Sequence, residues 1–284
     1  MSFSATLPVS VTRRAPAKVN LALHVVGRRP DGYHEIESVV AFTAFGDEIT
    51  ARSAERDGLI VRGPWATGIE GENLIDRARQ AARAHISGSH PVELVLDKRI
   101  PVAAGLGGGS ADAAATLHAL AELWRFPADE QALCEIGMPL GADVPMCVVS
   151  RPLLASGIGE RMVPLDEAGL SGLAIVLVNP GRPVATPDVF AALERPSNSG
   201  LPERDDGPFV WLAGCRNDLT AVATRVCPEI ADALHLLAEA DIARMSGSGA
   251  TCFGLFRDGD AADRTAHDIA ARHPGWFVER THLL

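Results

Sequence analysis

Lysine is almost missing from this chain of 284 residues: of 26 basic side chains only Lys18 and Lys98 are lysines. Where arginine serves nearly everywhere, a lysine marks a place suited to a compact ammonium rather than a planar fork. Tyrosine is scarcer still, with Tyr33 alone. The five cysteines, Cys134, Cys147, Cys215, Cys227 and Cys252, form no C-x-x-C pair. That excludes a zinc knuckle and argues against a disulfide framework, leaving reduced core thiols. No apolar run comes near the roughly 20 residues that cross a bilayer; Leu173 to Val178 is representative. Met1 to Pro16 lacks an apolar signal core, so a cytoplasmic location is expected. Positive charge is also short: the net charge of −10 argues against a nucleic-acid partner. A monomer or weak homodimer acting on a small molecule is expected, without membrane association.

What remains is globular in composition, 47% hydrophobic and 22% charged, and long enough for one large core or two ordinary ones. Its centre is the stretch Pro101-Val102-Ala103-Ala104-Gly105-Leu106-Gly107-Gly108-Gly109-Ser110-Ala111. Four glycines in five positions exceed what a simple turn needs, and they leave backbone N–H groups open to an approaching anion. Ser110 and Asp112 open an alanine-rich helix, with Ala113, Ala114, Leu117, Leu120, Ala121 and Trp124 at helical spacing. A glycine loop feeding a helix N-terminus suits a nucleotide phosphate. No Gly-Lys-[Ser/Thr] closes it, so it is not a Walker A loop. The segment from Ala128 to Ile136 reads as helix, where a dinucleotide fold requires a strand.

Alternation from Val11 to Val26 predicts a strand with Lys18, Asn20 and His24 on one face. Lys18 and Asn20 then lie about 7 Å apart on that face, either as solvated polar residues or as a site. Arg28 to Gly32 is a turn, and an antiparallel strand follows through Ile36, Ser38, Val40 and Phe42. Tyr33 and His34 sit just past the turn, where a ring can stack on a planar base and an imidazole can bond its edge; Tyr33 reads equally as a half-buried packing residue. Short strands are expected at Asp47–Arg52, Leu59–Val61 and Val92–Leu96, and a helix capped by Asn73. The strand ending at Leu96 delivers Lys98 to the glycine loop, as a nucleotide contact or a basic strand end. Asp143 lies in the turn Gly141-Ala142-Asp143-Val144-Pro145, where an aspartate is a turn cap or a proton acceptor; spacing leaves both open. A composition shift over Ser150–Gly159 suggests a domain boundary. Beyond it come an expected strand at Leu173–Val178, a helix from Thr186, and an exposed loop at 195–208. Helices near 217–225 and 228–239 follow, then the glycine turn Met245 to Thr251, a strand at Cys252–Phe256, a helix at Asp260–His273 and a strand at Trp276–Val278. Strands mixed with paired helices make this half α+β.

These stretches together resemble the GHMP kinase superfamily. The matching blocks are Pro16-Ala17-Lys18-Val19-Asn20-Leu21, the loop from Pro101 to Ala115, and Ser246-Gly247-Ser248-Gly249-Ala250. Asp31-Gly32-Tyr33-His34, Gly141 to Pro145, Thr186-Pro187-Asp188-Val189-Phe190 and Asn217-Asp218-Leu219 narrow the resemblance to the branch acting on a cytidine diphosphate. The resemblance implies a two-domain α+β fold. Residues 1–154 would be the ATP-binding domain, similar to ribosomal protein S5 domain 2, and residues 155–284 a ferredoxin-like domain.

It also implies ATP as co-substrate, Mg²⁺ carried with it, and phosphorylation of a hydroxyl on a small cytidine diphosphate in the non-mevalonate isoprenoid route. By the same resemblance Asp143 takes or orients the hydroxyl proton, and Lys18 stabilises the transferring phosphoryl. Asn20 positions substrate, Tyr33 and Phe190 sandwich the cytosine, His34 reads its edge, and Thr186 joins them. Pro101, Val102, Ala103, Ala104, Gly105, Leu106, Gly107, Gly108, Gly109, Ser110 and Ala111 wrap the phosphates, with Asn73 and Lys98 on the adenosine side. Many members carry a second serine where this chain has Ala111, so no side-chain role attaches to that position. The alternatives are a homoserine- or mevalonate-type member, a nucleotide-binding protein without catalysis, and a dinucleotide oxidoreductase.

Overall fold

The computed structural model describes residues 10–68, 73–165, 169–194, 197–204 and 207–284. Contacts divide the chain into two interleaved units. The first comprises residues 1–16, 46–102 and 108–149; the second comprises 17–45, 103–107 and 150–284. Strands β1 (Ser10–Arg28) and β2 (His34–Ser53) contribute residues to both. The two segments predicted separately between Ile36 and Arg52 are one strand, with Gly46 and Asp47 inside it rather than in a turn.

In the first unit the later half of β2 pairs antiparallel with β4 (Val92–Asp97), from Glu48 opposite Asp97 to Ser53 opposite Val92. Strand β3 (Gly58–Arg62) pairs parallel with β4. Helix α1 (Leu74–His85) begins where the Asn73 side chain accepts from the Ile75 N–H at 3.0 Å, as its cap chemistry predicts. Helix α2 (Gly108–Leu123) starts two residues before Ser110. Eleven of its residues are buried, which is the signature of a helix hydrophobic on all sides. Helix α3 (Glu130–Gly137) is capped by Asp129. The apolar stretch after Asp143 forms helix α4 (Val144–Val149), whose ladder begins with the Cys147 N–H donating to the Asp143 carbonyl at 3.2 Å.

In the second unit the earlier half of β2 pairs with β5 (Leu153–Gly157), which pairs with β6 (Arg161–Pro164). The composition shift at Ser150–Gly159 coincides with this hairpin, its glycines Gly157 and Gly159 supplying positive φ at the turn. A four-stranded antiparallel sheet runs β10 (Phe277–His282), β7 (Ala174–Asn179), β9 (Cys252–Phe256), β8 (Ile242–Met245). Its helices are α5 (Thr186–Ala191), α6 (Pro208–Ala213), α7 (Thr220–Val226), α8 (Glu229–Leu236) and α9 (Gly259–Arg272). Val176, Val178, Leu219, Ile230, Met245, Phe256 and Ile269 share one apolar core with Leu23 and Val25 of β1. The expected loop at 195–208 falls partly outside the described residues; residues 197–204 have no regular structure, and Pro208 already opens α6. No helix among the described residues is long and apolar enough to cross a membrane.

Candidate active site

In the second unit the polar face of β1 is buried rather than solvated. Lys18, Asn20 and His24 are all sealed, so each needs a partner. The Lys18 Nζ donates to Asn20 Oδ1 at 3.1 Å. Asn20 Nδ2 donates to Ser38 Oγ at 2.8 Å, and Ser38 Oγ donates to the Ala22 carbonyl at 2.7 Å. This chain of bonds fixes the Asn20 amide with its oxygen toward the ammonium. His24 is held from two sides. Its Nδ1 lies 2.9 Å from the Gly200 carbonyl, and its Nε2 accepts from the Arg216 N–H at 3.1 Å. That pattern fixes a neutral ring with the proton on Nδ1 and gives His24 a packing role.

The glycine loop is knitted to the same strand. Lys18 N–H donates to the Leu106 carbonyl at 2.9 Å. Gly107, at φ +64°, has room for no side chain: a Cβ there would stand 3.0 Å from the Cβ of Lys18 and 3.1 Å from its Cε. Gly105, at φ +75°, is confined by the Gly249 carbonyl, 2.5 Å from where its Cβ would lie. Ala103 also turns to positive φ, at 55°. Left-handed residues repeated along a short loop bring N–H groups to one side, the arrangement that receives an anion.

The turn Ser246–Gly249 completes the support. Ser246 Oγ accepts from Asn20 N–H and donates to the Gly105 carbonyl, both at 3.1 Å. Thr251 Oγ1 donates to the Ala104 carbonyl at 2.5 Å and accepts from Asn179 Nδ2 at 2.8 Å. Asn217 Nδ2 donates to the carbonyls of Met245 and Gly247, both at 2.8 Å. Ser248 Oγ lies 2.7 Å from Thr186 Oγ1. Ser38, Ser246, Ser248 and Thr251 were absent from the sequence-derived site. Only the serine-glycine alternation at 246–249 signalled any of them, since a single hydroxyl leaves no pattern.

Also in this unit, the His34 and Phe190 rings are stacked, with centroids 5.2 Å apart and planes inclined by 28°. Burial, and then the charge of Arg28, lowers the His34 pKa below its ordinary value, so the ring is neutral at neutral pH. Tyr33 is 63% exposed, its backbone N–H held by Asp31 Oδ1 at 3.2 Å.

In the first unit, Gly108, Gly109, Ser110 and Ala111 form the opening turn of α2. A Cβ on Gly109 would lie 3.3 Å from Leu74, the residue after Asn73, so α2 begins beside the start of α1. The Asn73 Nδ2 is buried with no hydrogen-bond partner among the described residues. The Lys98 ammonium is turned inward, 2.5 Å from Asp47 Oδ2 and 2.7 Å from Asp112 Oδ2. Asp143 is half-buried at the start of α4. Among the described residues no three His, Cys, Asp or Glu side chains gather as a metal-ligand group.

A glycine loop opening a buried helix, and a serine-glycine turn bracing it, define a class. The family model for the GHMP kinases N terminal domain matches residues 73–151, and that for the GHMP kinases C terminal matches residues 211–275. The chain belongs to the GHMP kinases, enzymes for which ATP is the co-substrate. Within that class the chain is 48% identical over 277 residues to a 4-diphosphocytidyl-2-C-methyl-D-erythritol kinase of Chelativorans sp., covering 94% of each chain. It is 47% identical over 286 residues to the protein of that name from Brucella melitensis, covering 96% of this chain and 95% of the other. A crystal structure of 4-(cytidine 5'-diphospho)-2C-methyl-D-erythritol kinase superposes with a TM-score of 0.78 at 35% identity, covering 96% of this chain and 99% of that one. Homoserine kinase from Cytophaga hutchinsonii shares the fold alone, with a TM-score of 0.72 at 16% identity.

Proposed function

We propose that the chain transfers the γ-phosphoryl group of ATP to the 2-hydroxyl of 4-diphosphocytidyl-2-C-methyl-D-erythritol, giving the 2-phosphate and ADP in the non-mevalonate isoprenoid route. The observation that carries this reading is the match, over at least 94% of each chain, to kinases of that name. The sequence also supplies planar and imidazole groups for a cytosine. Phe190 and His34 present stacked rings, and Tyr33 offers an exposed one. A neutral His34 keeps one ring nitrogen as donor and one as acceptor, which suits a base edge. The family's two domains are assigned to residues 1–154 and 155–284, with one family match falling inside each range.

Phosphoryl transfer asks little covalent work of the protein; placing the groups and neutralising charge supply most of the rate. In this reading Asp143 accepts or orients the substrate hydroxyl proton, and Lys18 offsets charge on the moving phosphoryl. The bond to Asn20 holds the Lys18 side chain, and Asn20 also positions substrate. Backbone N–H groups along residues 101–111 receive the phosphates, aided by the positive end of α2. Asn73 Nδ2, without a partner among the described residues, offers a donor to the adenosine, the side to which the resemblance also assigns Lys98. Thr186, bonded to Ser248, lines the cytidine side. Mg²⁺ bound with the nucleotide would supply screening of its phosphate charge.

The test is ADP release from ATP and Mg²⁺ with this substrate, for wild type and Asp143→Asn together. Wild-type turnover, falling by about 100-fold or more in the variant while ATP still binds, supports the reading. No wild-type turnover overturns the substrate. Full activity in Asp143→Asn removes the aspartate from the reaction.

A further inference from the structure

Two carboxylates share one ammonium in the first unit, all three nearly sealed from water: side-chain exposure is 4% for Lys98, 0% for Asp47 and 4% for Asp112. The two acids are not equivalent. Asp47 Oδ2 accepts from Lys98, and its Oδ1 accepts from the backbone N–H groups of Arg99 at 2.5 Å and Ile100 at 2.7 Å. Asp112 Oδ2 accepts from Lys98, but its Oδ1 is buried with no partner among the described residues. A bare anionic oxygen away from water is strongly unfavourable, and a single ammonium offsets only one of two negative charges. We infer that Asp112 carries a proton and, with Asp47 and Lys98, forms a neutral cluster that positions the opening turn of α2 for an anionic ligand.

The titration physics agrees. Burial, the largest influence, pushes Asp112 up to about 8; Asp47 adds to this, while Lys98 opposes it. For Lys98 burial acts downward, but the two carboxylates outweigh it and its pKa rises, so it stays charged. The other titratable groups on elements packed against α2 are Asp76, Arg77, Arg79, Arg83 and His85 on α1, where Arg79 pairs with Asp76 and Arg83 with Asp57, Glu130, Cys134 and Glu135 on α3, and Cys147 on α4.

The cluster lies directly against the first residue of α2. A Cβ on Gly108, the first residue of α2, would stand 3.0 Å from the Lys98 Nζ and 3.1 Å from Ile100. Asp112 follows Gly108 by four residues, about one helical turn. An ionised Asp112 would give the cluster a net negative charge one turn from the helix end that attracts anions, opposing the helix dipole. An anion bound there must raise the Asp112 pKa by the same coupling, so binding takes up protons near and above pH 8.

The first test needs no nucleotide. The infrared spectrum of the ligand-free protein at neutral pH should show the carbonyl band of a buried carboxylic acid, missing from Asp112→Asn. It should also vanish in Asp47→Asn, where Asp112 alone shares Lys98 and ionises. Absence of the band in wild type, or its persistence in both variants, overturns the protonated acid. The second test rests on the kinase reading and uses ADP as probe. From pH about 7 to about 9, wild-type affinity should weaken about tenfold more than that of Asp112→Asn, whose neutral amide copies the protonated acid. At the acid end the two should bind alike. Parallel profiles overturn the linkage; a band with no ADP binding at any pH leaves the acid standing and defeats the nucleotide reading instead. If Asp112→Asn does not fold, Asp47→Asn serves in both tests, and its affinity should lack the wild-type inflection near 8.

Discussion

Lys18 and Gly107 pack so closely that a Cβ on the glycine would stand 3.0 Å from the Cβ of the lysine. The lysine that resemblance marks as catalytic is thus shaped by the backbone of the loop assigned to the phosphates, with the Leu106 carbonyl accepting its N–H at 2.9 Å.

Gly107→Ala should therefore act twice. A non-glycine residue at φ +64° is strained, and the new methyl displaces Lys18. Stability should fall by about 1–3 kcal/mol. Turnover should fall by about 100-fold, because small misplacement of a charge-stabilising group is severe for phosphoryl transfer. Thermal unfolding and initial rates measured on one preparation check both; an alanine variant with wild-type turnover would show that the lysine tolerates movement.

Phe190→Ala and Tyr33→Ala should separate binding from folding. Phe190 packs on His34, whereas Tyr33 is 63% exposed. Removing Tyr33 should leave stability within about 0.5 kcal/mol. Each variant should raise KM for the cytidine substrate by about tenfold, the scale of one aromatic stack, with KM for ATP unchanged. A matching rise in both KM values would place these rings outside substrate recognition.

Acid should weaken the cytidine substrate selectively. Burial and Arg28 hold the His34 pKa below its ordinary 6.5, so the folded protein favours the neutral ring. The associated stability is fully present above 6.5 and is lost as pH falls through the lowered folded value. KM for the cytidine substrate should rise on the acid side of that value, and Arg28→Ala should move the inflection upward, toward 6.5. A KM profile identical in wild type and Arg28→Ala would sever the link to His34.

Much of the fold is legible because its signals are local. Alternation gives β1 and β4, side-chain capping gives α1 at Asn73, and an unbroken apolar run gives β7. The hairpin β5–β6 was hidden because its glycines and Pro152 read as a composition shift near a domain boundary. Helix α6 was hidden because Pro208 and Gly207 resemble the loop before it. The cluster at Lys98 shows a deeper limit. Its partners Asp47 and Asp112 lie 51 and 14 positions away in sequence, and only the folded sheet and helix bring them to one ammonium. From sequence, a lysine near a phosphate loop suggests a ligand contact; in the structure both of its carboxylate partners are internal.

Helix α2 fixes where this protein can vary. Ala111, Ala113, Ala114 and Ala115 are all buried, and interiors packed to crystal-like density resist even one added methylene. Random mutagenesis at those four positions would return little besides alanine, glycine and serine. Laboratory evolution toward a different acceptor would find its freedom at exposed side chains such as Tyr33, Ser199 and Glu203.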